Sequence, residues 1–195
     1  MIQACNQFLI DQISRLAADK EAVPYTDENI FIGPMPRDFL KTHPFAACCL
    51  TLQDTKKKSG KLVSNIRSDD FTYYTRTFQR FERQITYRVL LYAAGFGDQW
   101  GQPEHGNFWD MDVWTGLVDQ LEQRIAGTRF IPDENNMAIR VEALDAIRPW
   151  NTDEARQRVK RKHHKAIVRV VFTGGIYTTQ QVPIVGDVNI QPEYT

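Results

Sequence analysis

The sequence predicts an α+β domain in which two main α-helices pack on one face of an antiparallel or mixed β-sheet and a β-ribbon protrudes. Two segments have the apolar spacing of amphipathic helices, one long segment alternates like a strand, and two β-prone runs flank a pair of glycines. Hydrophobic residues make up 42% and charged residues 25% of the 195 residues, which is ordinary for a globular protein. We therefore expect a single domain over residues 1–195.

The first helix is predicted near the start of the sequence, where apolar residues recur at intervals of three and four. These residues are Ile2, Cys5, Phe8, Leu9, Ile13, Leu16 and Ala17. The helix should end near residues 19–20, ahead of Pro24. The β-prone run at 29–32 is closed by Gly33-Pro34, so it is either a short strand or a clamp on the core.

A central strand is predicted at 45–52, which is a continuous run of small apolar residues of strand length. The sequence then becomes polar and flexible at 56–61, where four lysines surround Ser59-Gly60. We expect this lysine-rich stretch to form an exposed loop tip.

Residues 71–92 form the most β-prone segment and predict a long β-ribbon. An average strand has about five or six residues, so either a bend near Gln79-Arg80 divides this segment or it extends as an arm. The edges of such an arm would be available to a neighbouring molecule. The alternating β-prone residues are Tyr73, Thr75, Thr77, Phe81, Ile85, Tyr87, Val89 and Leu91.

The second helix is predicted where Val113, Leu117, Leu121 and Ile125 recur at intervals of four, with Gly127 following at the position of a C-cap glycine. Asp110 or Asp112 is the expected N-cap, and either carboxylate would complement the helix dipole. A strand with one buried face is predicted next, at 137–143.

A terminal hairpin is predicted at 166–183. Its two β-prone runs, 166–173 and 176–183, are joined by Gly174-Gly175. The tight turns of two-residue hairpin loops need positive φ angles, which glycine adopts at little cost.

The charge balance and the distribution of apolar residues exclude several classes of protein. Lys and Arg total 24, as do Asp and Glu, so no net charge attracts nucleic acid or an anionic membrane. No stretch approaches the roughly 18 apolar residues that span a bilayer, and the first residues do not resemble a secretory signal. We expect a soluble protein whose cysteines, Cys5, Cys48 and Cys49, are free and mostly buried thiols.

The candidate catalytic groups all have a structural explanation. Glu104, His105, Asp110 and Asp112 cluster ahead of the second helix, but their spacing matches no metal-ligand motif, so capping and solvated loop charge explain them. No histidine lies in a nucleophile motif, and the Gly-x-Gly at 95–97 lacks the third glycine of a dinucleotide-binding loop. We therefore predict no catalytic, cofactor-binding or metal-binding residue, and no enzyme.

The basic side chains are the candidate residues for a partner interface. A run of basic residues is most often a solvated loop; contact with an acidic protein surface is the first functional alternative, and contact with nucleic acid is the second. The candidates lie in the lysine-rich stretch, along the ribbon and in a basic run after residue 155. They are Lys56, Lys57, Lys58, Lys61, Arg76, Arg80, Arg83, Arg88, Arg158, Lys160, Arg161 and Lys162.

The order of these elements, with phrases such as Lys-Ala-Ile-Val-Arg-Val-Val-Phe at 165–172 and Gly-Gly-Ile-Tyr at 174–177, resembles the tail terminator proteins of long-tailed bacteriophages and their neck (head–tail joining) relatives. The resemblance extends from Met1 to about Ile190 and includes no signature motif, so it implies no catalytic residue. It implies a small α+β subunit that joins copies of itself into a ring, and a head-to-tail contact whose rotation closes gives such a ring.

The function that this resemblance implies is that of a virion structural protein. Six copies would form a ring that caps the tail tube and offers a docking surface for the neck. The partners would be other copies of the chain, the tail tube protein, and neck, connector or sheath proteins, with neither membrane nor nucleic acid among them. The ring would belong to the tail or neck of the virion and be assembled in the host cytoplasm. The alternatives are another phage assembly protein, such as a tail-completion, tube-associated or baseplate component, and then an enzyme of unrecognised class.

Overall fold

The structure is a computed structural model that describes residues 1–17, 24–94, 111–147 and 163–184. Of these described residues, 55% lie in strands and 23% in helices, so this part of the chain is mostly β and the predicted α+β class is wrong. Two of the three helices have seven residues or more. In chain order, the elements are α1 (Ile2–Ser14), β1 (Ile30–Ile32), α2 (Phe39–Thr42), β2 (Phe45–Arg67), β3 (Tyr73–Ala94), α3 (Met111–Gly127), β4 (Phe130–Pro132), β5 (Ala138–Ile147) and β6 (His163–Pro183).

The six strands in the described ranges form one mixed sheet in the order β1-β2-β3-β6-β5-β4. β1 pairs in parallel with β2, with Ile30 opposite Ala47, whereas β5 is antiparallel to both β4 and β6. β2 and β3 are neighbours joined by the short turn at 68–72, which is a connection that only antiparallel strands can use. β6 therefore lies between β3 and β5, where both of its edges can be paired.

The chain divides into two compact units. The first unit comprises Met1–Thr55 and Gln84–Gly174, and the second comprises Lys56–Arg83 and Gly175–Thr195. The bounds of β2, β3 and β6 show that each of these strands contributes residues to both units. Among the described residues, every buried apolar side chain belongs to the first unit. The hydrophobic core is therefore confined to that unit.

The core of the first unit lies between the sheet and the helices α1 and α3. The ring of Phe172 on β6 meets the rings of Phe8 on α1 and Tyr87 on β3 edge to face, at centroid distances of 5.9 and 5.7 Å. The hydroxyl of Tyr87 donates a hydrogen bond of 2.7 Å to Oδ1 of Asn6. These contacts hold α1 on the sheet. On the core face, every second residue of β3 and β6 is buried: Ile85, Tyr87, Val89 and Leu91, and Ala166, Val168, Val170 and Phe172.

The first helix is shorter than predicted, because α1 ends at Ser14 and not near residues 19–20. Leu16 is nevertheless fully buried. The side chain of Gln120 on α3 accepts a hydrogen bond from the Ala17 N–H at 3.3 Å and donates one of 2.9 Å to the Ala17 carbonyl. The backbone of Ala17 is therefore hydrogen-bonded to α3 and not within α1. Because Leu16 still packs in the core beyond the end of α1, the apolar spacing in the sequence extends past the helix.

The second helix forms as predicted, as α3. Gly127 is its last residue. Asp112 lies within the helix, so it is not the N-cap, and Asp110 lies outside the described residues. The predicted strand at 137–143 is β5, which continues to Ile147.

The lysine-rich stretch at 56–61 is not a loop, so that prediction is wrong. β2 runs without interruption from Phe45 to Arg67. Its first five residues are buried, and from Thr51 onward all but two residues are exposed. A strand that buries neither face needs no alternation of apolar and polar residues, so the period-two pattern that identifies other strands is absent here.

The ribbon predicted at 71–92 is a single strand, β3, so of the two alternatives given for this segment the bend near Gln79-Arg80 does not form. The predicted terminal hairpin is wrong, because β6 continues through Gly174-Gly175 as one strand of 21 residues. Neither glycine has a positive φ, so the turn on which the prediction depended does not form.

The two glycines serve close packing and not a turn. A Cβ atom on Gly174 would lie 3.2 Å from the end of the Met1 side chain and 3.3 Å from Cγ1 of Ile139. A Cβ atom on Gly175 would overlap the ring of Tyr177. Glycine within a strand marks such places, where another group approaches the backbone closely.

We predict that Gly175→Val destabilises the protein by about 1–3 kcal/mol, because the new side chain forces the Tyr177 ring from its position. Adding Tyr177→Ser removes the overlap, so the double variant should lose less stability than the two single changes predict together. Urea denaturation of the four proteins measures this coupling. Additive free-energy changes would show that the ring does not cover Gly175.

Candidate interaction surface

The second unit is built from parts of three neighbouring strands, in the order β2, β3 and β6. Residues 56–83 contain eight Lys and Arg residues but three Asp and Glu residues, a net charge of +5 in a chain whose total charge is zero. Most of the basic residues predicted to meet a partner are therefore concentrated on this one unit.

One face of the second unit is defined by two hydrogen bonds between side chains. Nε of Arg76 donates to Oδ1 of Asn65 at 3.3 Å, and Nε of Arg80 donates to Oγ1 of Thr178 at 2.8 Å. Asn65 on β2, both arginines on β3 and Thr178 on β6 thus share a face, which we call the Arg76 face. By the two-residue period of strands, this face also carries Lys57, Lys61, Val63, Arg67, Tyr74, Phe78 and Gln180.

Aromatic and basic side chains alternate along the Arg76 face of β3. The guanidinium carbon of Arg76 lies 5.9 Å from the ring centroid of Tyr74, and that of Arg80 lies 5.6 Å from the centroid of Phe78. Contacts of this kind contribute about 0.5–1 kcal/mol each at exposed sites. The two arginines were predicted from the sequence as interface residues. The rings between them were not, although their spacing of two residues is a signal that can be read from the sequence.

The opposite face, which we call the Thr77 face, pairs the hydroxyls of Thr77 and Thr179 at 3.4 Å. Strand alternation places Leu62, Ile66 and Phe81 on it, with 46%, 63% and 40% of their surfaces exposed. Apolar side chains exposed in a group, beside basic ones, are typical of surfaces that contact other proteins.

The turn between β2 and β3 is tied together by its own side chains. Asp70 accepts hydrogen bonds from the Thr72 hydroxyl at 2.8 Å and the Thr72 N–H at 3.2 Å. Hydrogen bonds from Ser68 and Thr72 hold the pKa of Asp70 below its usual value. Phe71 has a positive φ of 60° and is 61% exposed, and the Arg67 guanidinium lies 4.3 Å from its ring centroid. The turn thus presents an aromatic ring beside a basic group.

Both outer edges of the second unit lack a neighbour among the described strands. β2 pairs with β1 at residues 47–49, and β6 pairs with β5 at residues 167–173. Over 56–67 of β2 and 178–183 of β6, the side away from β3 therefore meets no strand of the described part of the chain. Such edges expose backbone donors and acceptors that can pair with another chain.

The predicted interface residues fall into three groups. Seven lie in the second unit: Lys56, Lys57, Lys58 and Lys61, all exposed on β2, and Arg76, Arg80 and Arg83 on β3. Arg88 belongs to the first unit, and its Nε atom is buried with no hydrogen-bond partner in the described structure. The other four, Arg158, Lys160, Arg161 and Lys162, lie outside the described residues.

Glu104, His105 and the glycines at 95–97, whose residue types raise the question of metal or nucleotide binding, also lie outside the described residues. In the described ranges, no group of three or more His, Cys, Asp or Glu side chains is arranged to hold a metal ion.

The helices that the structure describes include none long and apolar enough to cross a membrane. All three cysteines are buried thiols, and burial raises the pKa of Cys49 to about 12.

Comparison of the sequence with protein-family models and with curated proteins gives no match. The fold and the surface by themselves therefore define its class: a mostly β protein with a three-stranded unit whose faces are basic and partly apolar and whose outer edges lack a described neighbour.

Proposed function

We propose that this chain is a phage virion structural protein, a tail terminator-like subunit that forms a ring, caps the tail tube and provides the docking surface for the neck. The supporting observation is the second unit, a group of three neighbouring strands in which β2 and β3 expose apolar and basic side chains on both faces. The sequence resemblance supplies the biological setting, and the surface supports an assembly role.

The distribution of burial favours a unit that gains stability by association. A small sheet needs an apolar face packed against something to be stable. In the described part of the second unit, no apolar side chain is buried, and Leu62, Val63, Ile66, Phe71 and Phe81 are each at least 40% exposed. Contact with another copy or with a tail protein would remove this apolar surface from water.

The distribution of charge favours contact between copies. Residues 56–83 carry a net charge of +5, so the rest of the chain, with sixteen basic and twenty-one acidic residues, carries −5. Copies that meet head to tail can place the basic unit of one against acidic surface of the next. Complementary charge of this kind steers association and selects the partner.

The test is the assembly state of the purified full chain. Size-exclusion chromatography with light scattering should show oligomers that grow with protein concentration, and negative-stain electron microscopy should show annular particles. A monomer at every concentration, with no annular particles, would refute the proposal.

A second experiment separates a terminator from other assembly proteins. The tail tube protein from the same phage is polymerised with and without the chain, and tube lengths are measured by electron microscopy. A terminator should shorten the tubes and be found at one end of each. Rings that leave tube length unchanged would favour a tail-completion, tube-associated or baseplate component.

We predict that changing Lys56, Lys57 and Lys58 together to glutamate leaves the fold intact but shifts the chain toward smaller species at the same concentration. The three side chains are exposed, and surface changes usually alter stability by less than about 0.5 kcal/mol each. The matched control changes Arg15, Arg37 and Arg129 to glutamate, because these exposed residues give the same change in charge on the first unit. Equal effects of the two triple variants would exclude the lysines from the contact.

A further inference from the structure

The two outer edges of the second unit indicate how neighbouring copies join, an inference that rests on the proposed function. We propose that the β2 edge of one copy, over 56–67, pairs with the β6 edge of the next copy, over 178–183. The ring would then contain a sheet that continues from copy to copy, with main-chain hydrogen bonds across each contact.

The charges on the two edges disfavour a two-fold contact between β2 edges. The β2 edge carries Lys56, Lys57, Lys58, Lys61 and Arg67, whereas the β6 edge, Thr-Thr-Gln-Gln-Val-Pro, carries no charge. Two β2 edges related by a two-fold axis would bring lysines close to lysines, and like charges on opposite strands are destabilising. Pairing β2 with β6 avoids that repulsion and leaves a further edge open on each copy, which is what a ring requires.

The strand directions make the new pair parallel. The Ile184 N–H donates a 2.9 Å bond to the Thr72 carbonyl, and Arg80 bonds Thr178, so later residues of β6 meet earlier residues of β3. β6 is therefore antiparallel to β3, as is β2 through its hairpin, and β2 and β6 run in the same direction. Neighbouring copies in a ring are related by rotation about the ring axis. Such a rotation preserves the direction of the strands along the axis and the face of the sheet that points away from it. The Arg76 face of one copy would then continue into the Arg76 face of the next.

Cysteine cross-linking tests the pairing. Each odd-numbered position of β2 from 57 to 67 is changed to cysteine, one at a time, and each variant is mixed with Gln180→Cys under oxidising conditions. All of these positions are on the Arg76 face, and disulfides form where Cα atoms are about 4.4–6.8 Å apart. We expect at least one mixture to shift from monomer to dimer on a non-reducing denaturing gel. The matching double variant should give a ladder of higher oligomers.

The controls distinguish the alternative contacts. Leu62→Cys, on the Thr77 face, should not cross-link to Gln180→Cys, and the unmodified chain should stay monomeric on the gel because its own thiols are buried. Dimers of Gln180→Cys alone would indicate β6–β6 pairing, and dimers of a β2 variant alone would indicate β2–β2 pairing. Either result overturns the inference.

The proposed function is tested separately, by measuring the assembly of the unmodified chain. If the unmodified chain forms rings by light scattering and microscopy but no β2 position cross-links, the edge pairing is overturned and the proposed ring-forming function is retained. Absence of rings from the unmodified chain would overturn the proposed function itself.

Discussion

Val170→Pro is expected to unfold the protein. Val170 is fully buried and lies opposite Ala143 of β5, in a strand whose other neighbour is β3. Proline has no N–H to donate, and in the middle of a sheet it removes a ladder hydrogen bond. That loss, added to the displacement of a core side chain, is a large share of a total stability of about 5–15 kcal/mol. Far-UV circular dichroism and the soluble fraction after expression measure the outcome.

The control for this variant is Val170→Ala, which keeps the N–H and removes two methyl groups from the core. We expect it to remain folded with a loss of about 1–3 kcal/mol, since small deletions in a packed core cost amounts of this order. A Val170→Pro protein with a native spectrum and an unchanged urea midpoint would show that β6 is not a central strand at this position.

Phe172→Ala is expected to cost about 3–5 kcal/mol, which is the usual range for removing a buried phenylalanine ring. Phe172 is fully buried and meets both Phe8 and Tyr87 edge to face, so one change removes contacts between α1, β3 and β6. Aromatic pairs of this kind add about 0.5–1.5 kcal/mol beyond the burial of their surface. Urea denaturation, with the slope checked for constancy, gives the difference in stability.

The matched control is Phe130→Ala. Phe130 lies on β4 and is 61% exposed, so its removal should change stability by less than about 0.5 kcal/mol. Similar losses for Phe130→Ala and Phe172→Ala would contradict the position of Phe172 at the centre of the core.

The parts of the fold that could be predicted from the sequence are those with one buried face. α1, α3 and β5 each bury one side, so their apolar residues recur at the helical or strand period. The exposed part of β2 buries neither side and has no such period. Gly174-Gly175 resembles a turn in sequence. The reason for the two glycines is the close approach of Met1 and Tyr177, which exists only in the folded chain. α2 and β4, with four and three residues, are too short to produce a pattern.

The candidate surface was predictable in its charge but not in its geometry. The lysines of β2 and the arginines of β3 can be selected from the sequence by their charge alone. Their arrangement on two faces depends on contacts between strands, such as those of Arg76 with Asn65 and Arg80 with Thr178. The outer edges depend on which strands pair, and pairing between residues far apart in sequence is not encoded in any local period.

The confinement of buried apolar side chains to the first unit has a thermodynamic consequence. Segments with few buried contacts open at a small fraction of the global unfolding free energy, so amide protons of 56–83 should exchange with solvent long before those of the core. Any partner that binds the ordered strands stabilises them by mass action. On the proposed assembly that partner is a second copy of the chain, so the melting temperature should rise with protein concentration.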